Sequence, residues 1–169
     1  AVDGQDRRLG CLQYPGPTVD WTLSSSDTDT TWLLIGVHAK VPVTDLDQIQ
    51  KVLGDVRQQG RVGVLDSGVG WLGHVKPDRI HELWSQVDLL IGTIEELRHW
   101  TGCYTPMAMA ESALRAGVRQ VVIKMGSEGA AYQSDIEPFT HQSACPVNRA
   151  GLSIGAGDAF NGALVAALA

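Results

Sequence analysis

A strand-sized apolar run, an amphipathic helix and a second strand-sized run follow one another before Asp66, and that succession leaves few folds open. Thr31-Trp32-Leu33-Leu34-Ile35-Gly36-Val37 is apolar and bounded by polar residues, the pattern of a strand buried on both faces and therefore central in its sheet. Thr44 and Asp47 then resemble a capping box, and Leu46, Ile49, Val52, Leu53 and Val56 recur at helical spacing until Gly60 ends the run. Val62-Gly63-Val64-Leu65-Asp66 reads as the next strand. Two strands joined through a helix must run parallel, which predicts an α/β domain with a doubly wound parallel sheet.

The alternation continues downstream. Pro77 starts a helix whose periodic residues are Ile80, Leu83, Trp84 and Val87, and Asp88-Leu89-Leu90-Ile91 comes next as a strand. Thr93-Ile94-Glu95-Glu96 is a T-x-x-E capping box opening a helix through Leu97 and Trp100 to Gly102. Thr105-Pro106 starts another helix, with Ala110, Ala113 and Leu114 inward, Met107 and Met109 as packing residues and Gly117 as its stop. Gln120 to Met125 is the next strand, and Gly126-Ser127-Glu128-Gly129 turns it into Ala130-Ala131-Tyr132 as a hairpin-like connection. Residues 1–30 are expected to form edge strands and loops, and the polar stretch 134–150 a connection back to the last glycine-rich loop.

That loop carries the signature of chemistry. In Ser153-Ile154-Gly155-Ala156-Gly157-Asp158-Ala159-Phe160, two glycines and an acid precede an Ala-rich apolar helix. The glycines allow a tight turn and a close approach to a ligand, and the free N–H groups and dipole of the helix start favour an anion there. Asp158 at the mouth of such a turn can take a proton from an attacking hydroxyl. The residues alone support equally a plain turn in which Asp158 is an N-cap.

A rival motif is Gly68-Val69-Gly70-Trp71-Leu72-Gly73, which matches the G-x-G-x-x-G of dinucleotide-binding domains, with Asp88 downstream as the ribose acceptor. Its context disagrees. The helix starts at Pro77, after the glycines, and Asp88 opens a strand, whereas the ribose-binding acid belongs at a strand's carboxyl end.

Gly155-Ala156-Gly157-Asp158-Ala159-Phe160 resembles the C-terminal signature of the ribokinase (PfkB) family of sugar and nucleoside kinases. The resemblance implies that Gly155, Ala156 and Gly157 form an anion hole and that Asp158 is the general base. It extends to two earlier segments. Thr93 to Glu96 is similar to the family's N-x-x-E motif, which implies that Glu96 helps place Mg2+, with Thr93 where Asn is usual. Lys124, Gly126 and Gly129 are similar to its T-x-G-x-x-G, which lies along the nucleotide, with Lys124 where Thr is usual. Lys124 either faces phosphate or caps a strand edge, and Ser153, in a loop that begins Leu152-Ser153 instead of Asp-Thr, completes the implied ATP contacts.

The implied activity is ATP- and Mg2+-dependent phosphorylation of a hydroxyl on a sugar or nucleoside. The alternative is a degenerate relative that binds nucleotide or serves assembly, favoured by Leu152, Thr93 and Lys124. The resemblance places residues 1–169 in one partial kinase domain, without the family's N-terminal substrate and lid region and its extreme C-terminus. Both ends look cut, so exposed apolar surface is expected along the last helix. A homodimer is among the implications for the full-length parent.

Composition narrows the partners. A formal net charge of −6 offers no basic footprint for nucleic acid or an anionic membrane, and no apolar run approaches the length of a membrane span. Cys11, Cys103 and Cys145 are odd in number and lack zinc-ligand spacing, which reads as reduced thiols in a cytoplasmic protein.

Overall fold

The computed structural model describes residues 32–36, 43–68, 75–146 and 155–168. In chain order the elements are β1 (Trp32–Gly36), α1 (Val43–Gln58), β2 (Val62–Asp66), α2 (Pro77–Trp84), β3 (Leu89–Thr93), α3 (Ile94–Thr101), α4 (Pro106–Arg115), β4 (Gln120–Lys124), β5 (Ala130–Ser134), β6 (Thr140–Gln142) and α5 (Ala156–Leu168). The six strands form one sheet in sequential order, parallel from β1 to β4 and antiparallel from β4 to β6. The change of direction has a local cause. Helical crossovers return the chain parallel, whereas the short turn at Gly126–Glu128 sends it straight back.

Helices cover both faces. Leu65, Leu90, Val121 and Ile123 pack under α1 to α4, while Val64, Leu89, Ile91 and Val122, their alternates, pack under Phe160, Leu164 and Val165 of α5. That double burial is why β2, β3 and β4 read as continuous apolar runs. Ile80, Leu83 and Trp84 of α2 are at most 1% exposed, each contributing about 1.5–3 kcal/mol by burial.

Local signals mark several ends as expected. Pro77 and Pro106 stand in the first turns of α2 and α4, and Gly60 and Gly102 come after α1 and α3 with φ of 71° and 67°. Four expectations need correction. β1 has β2 as its one neighbour among the described residues, and with Leu34 38% exposed its apolar run is not buried on both faces there. α1 begins at Val43, ahead of the start expected at Thr44, and Asp47 pairs with Arg79 of α2. Met107 is 49% exposed, leaving Met109 as the packing methionine of α4. The stretch after Ser134 contains β6, whose Thr140-His141-Gln142 is exposed throughout and so carries no apolar alternation to betray it.

Leu168 is 47% exposed at the end of α5, in line with the apolar surface expected there. Cys103 and Cys145 are free thiols, while Cys11 lies outside the described residues. Among the described residues no helix is long and apolar enough to cross a membrane.

Candidate functional site

The parallel strands end in polar residues at one edge of the sheet: β2 in Asp66, β3 in Thr93 and β4 in Lys124. The β3–β4 register sets Thr93 directly beside Lys124. Beyond β4 the chain turns through Gly126 and Gly129, with φ of 59° and 104°, and the start of α5 comes back over the same edge behind Gly155, with φ of 81°. A cavity of about 600 Å3 lies among them, lined in part by Thr93, Lys124, Gly126, Gly129, Ala156 and Gly157. Its size suits a small-molecule ligand, and the carboxyl ends of parallel strands are where such ligands bind in α/β sheets. A methyl group at Gly126 or Gly155 would meet nothing within 4 Å, so both open onto free space. Of the segments expected to converge, the structure therefore brings together 93–95, 124–129 and 156–157. Ser153 and Leu152 lie outside the described residues.

Lys124 does more than cap an edge. Its Nζ donates to Asp66 Oδ1 at 3.1 Å and to Asn161 Oδ1 at 3.3 Å, and Asn161 Nδ2 donates to Asp66 Oδ2 at 2.7 Å. Asp66 and Asn161 are both 2% exposed. The three side chains close a ring of charge-assisted hydrogen bonds that ties α5 to β2 and β4. A Cβ on Gly157 would stand 3.6 Å from Lys124 Nζ, so the ammonium lies under the first turn of α5. Asp66 and Asn161 were not among the sequence candidates. The available signals were a carboxylate at a strand's end and an Asn one helical turn after Gly157.

Asp158 is not an N-cap. The Ala159 N–H donates to the Gly155 carbonyl at 2.9 Å, which makes Gly155 the capping position and puts Asp158 in the first turn. It is exposed and stands outside the cavity lining, about 100° around the helix from Gly157. An acid there is favoured by the helix dipole, and it also borders the anion-binding start of α5 from the solvent side.

Thr93 and Glu96 form the full capping box: Thr93 Oγ1 accepts from the Glu96 N–H at 3.3 Å, and Glu96 Oε2 accepts from the Thr93 N–H at 2.8 Å. Glu96 is 8% exposed and does not line the cavity. Among the described residues no three His, Cys, Asp or Glu side chains gather as metal ligands. The implied role of Glu96 toward Mg2+ rests on the resemblance, while its observed partner is its own helix cap. Glu96→Gln keeps an oxygen for the Thr93 N–H and removes only the first-turn charge, so it is expected to cost about 0.3–1 kcal/mol, a small drop in melting temperature, and to leave any Mg2+ dependence of nucleotide binding unchanged. A magnesium titration that shifts in the variant would return Glu96 to the metal.

Asp88 settles the rival motif. It is 4% exposed at the amino end of β3, where Oδ1 accepts from Arg57 Nε at 3.1 Å and Oδ2 from the Gly63 N–H at 2.9 Å. Arg119 adds a contact at 3.3 Å. This carboxylate clamps β2 to β3 at the end of the sheet opposite the cavity and is spent on that task. Of the glycine motif, only Gly68 is described.

A family model described as pfkB family carbohydrate kinase matches residues 39–169. Among solved structures, a PfkB protein from Polaromonas sp. JS666 is similar with a TM-score of 0.72 and 25% identity, over 89% of this chain and 49% of its own. An E. coli protein described as ribokinase II, in complex with ATP and Mg2+, gives 0.67 and 25%, over 88% and 48%. Arabidopsis thaliana ribokinase, complexed with ribose and ATP, gives 0.66 and 26%, over 88% and 47%. The chain spans about half the length of these solved structures. Comparison with curated proteins finds no match.

Proposed function

The chain belongs to the pfkB family of carbohydrate kinases, and from that membership we propose that it carries the nucleotide and phosphoryl side of an ATP-dependent transfer to a hydroxyl of a sugar or nucleoside. The observation that supports this reading is the meeting of Lys124, the Gly126–Gly129 turn and the start of α5 around one cavity. ATP supplies the phosphoryl group. The turn at Gly126 and Gly129 lies along the nucleotide, where the absence of side chains lets a ligand approach the backbone. The N–H groups of Gly155, Ala156 and Gly157 hold the transferring group and stabilise the charge on its oxygens, as preorganised dipoles in a fixed frame do.

Asp158 takes the proton of the acceptor hydroxyl as that oxygen bonds to the γ-phosphorus and the bond to the β,γ-bridging oxygen breaks, releasing ADP. Its place beside Gly157 on the exposed side suits an acceptor that approaches the phosphoryl group from outside the cavity. A second reading, nucleotide binding without transfer, is favoured by the commitment of Lys124 to Asp66 and of Glu96 to its cap.

Calorimetry with ADP, followed by transfer from radiolabelled ATP to a panel of sugars and nucleosides, tests the two together. We expect binding and transfer to at least one member of the panel. Binding with no transfer to any acceptor favours the second reading, and no binding refutes both.

A further inference from the structure

We infer that Lys124 is the built-in cation of the phosphoryl site, standing where a divalent ion held by the protein would otherwise be needed, so that nucleotide phosphates bind here without a metal held by the chain. The inference rests on the nucleotide reading of the cavity and adds to it the source of positive charge.

Three observations carry it. The Lys124 side chain is 14% exposed and its ammonium is held by Asp66 Oδ1 and Asn161 Oδ1, which together take two of its three donors. Lys124 also lines the cavity, under Gly157, so the remaining donor and the charge lie where an anion at the start of α5 would sit. The two buried carboxylates next to the cavity are committed within the protein, Asp66 Oδ1 to Lys124, Asp66 Oδ2 to the Asn161 amide and Glu96 Oε2 to the Thr93 N–H, while Glu95 and Glu128 line it as exposed, solvated side chains. A hard divalent cation needs several anionic or carbonyl oxygens, and it would find one carboxylate already neutralised by an ammonium that repels it. A lysine ammonium is a compact point charge suited to phosphate, and here it is fixed in advance.

Lys124 could instead serve only to pin α5 to the sheet. Metal dependence separates that role from the proposed one, because a pin has no bearing on it. AMP-PNP binding is measured by calorimetry in excess Mg2+ and in EDTA, on the wild-type chain and on the double variant Lys124→Met with Asp66→Asn. The double variant removes both charges together, so no buried carboxylate is left alone, and its thermal melt reports whether it folds. Mn2+ binding to the nucleotide-free chain is followed by electron paramagnetic resonance.

The expected result is a wild-type Kd that changes by less than about threefold on removing Mg2+, no saturable Mn2+ binding without nucleotide, and about tenfold or more weaker binding by the double variant in EDTA, as the loss of one charge-assisted contact implies. A wild-type Kd that rises more than about tenfold in EDTA, saturable Mn2+ binding to the nucleotide-free chain, or unchanged EDTA affinity in a folded double variant each overturns the inference while leaving the nucleotide site standing. Absence of AMP-PNP binding under both conditions overturns the nucleotide reading and this inference with it. Should the double variant not fold, Lys124→Arg keeps the charge on a larger, planar head, and the wild-type comparison of Mg2+ with EDTA still decides the outcome.

Discussion

Gly129→Ala is expected to destabilise the protein by at least about 3 kcal/mol, the range of substitutions that combine a backbone clash with a forbidden conformation. Gly129 has φ of 104°, and a Cβ placed there would come 2.0 Å from the Gln142 carbonyl oxygen and 2.7 Å from the Ala144 nitrogen. Both are main-chain atoms, so no side chain can swing aside. Relief requires β6 to leave β5 or the turn to open, and the Met125 N–H, which donates to the Gly129 carbonyl at 2.8 Å, ties that turn to the end of β4. The melting temperature should fall by roughly 6–12 °C for a chain of this size. Gly126→Ala is the control, because φ is 59° there but nothing lies within 4 Å of the added methyl. It should cost only about 1–2 kcal/mol, the usual expense of a left-handed alanine. Urea unfolding of the two variants decides the matter, and equal losses would remove the steric account of the turn.

Asp158→Asn is expected to lower phosphoryl transfer by about 10²–10⁴-fold, the contribution of a positioned general base, while nucleotide affinity changes little. The amide keeps the size and most of the hydrogen bonding but cannot accept a proton at neutral pH. Asp158 is an exposed first-turn residue and not the cap, so the helix-dipole part of its contribution, about 0.3–1 kcal/mol, is small beside the expected loss of turnover. Activity and stability should therefore separate cleanly. Turnover is measured on whichever acceptor the panel identifies, with a thermal melt alongside. Undiminished turnover would overturn the general-base role of Asp158.

The same contrast between local and distant causes divides what was legible from what was not. Helix starts at Pro77, Thr93 and Pro106, stops at Gly60 and Gly102, the parallel run of β2, β3 and β4 and the turn at Gly126–Gly129 are all written in neighbouring residues. Backbone conformation and the spacing of apolar side chains are local properties, so the sequence alone determined them, and with them the edge of the sheet at which three segments would meet. The pairings at that edge are another matter. Lys124 reaches Asp66 across 58 residues and Asn161 across 37, while Asn161 reaches Asp66 across 95. Nothing near Lys124 in the chain says that its charge will be met by the end of β2 or held beneath α5. The T-x-x-E box does foretell that Glu96 reaches back to its own helix start, but not that it stays out of the cavity lining. Asp88 was legible as no ribose acceptor from its place at a strand's start, but its pairing with Arg57 across 31 residues was not. Only the tertiary structure decided these roles, because which polar groups face one another depends on strand register and helix docking, and both are set by the packing of the two apolar faces and not by any signal the polar residues carry.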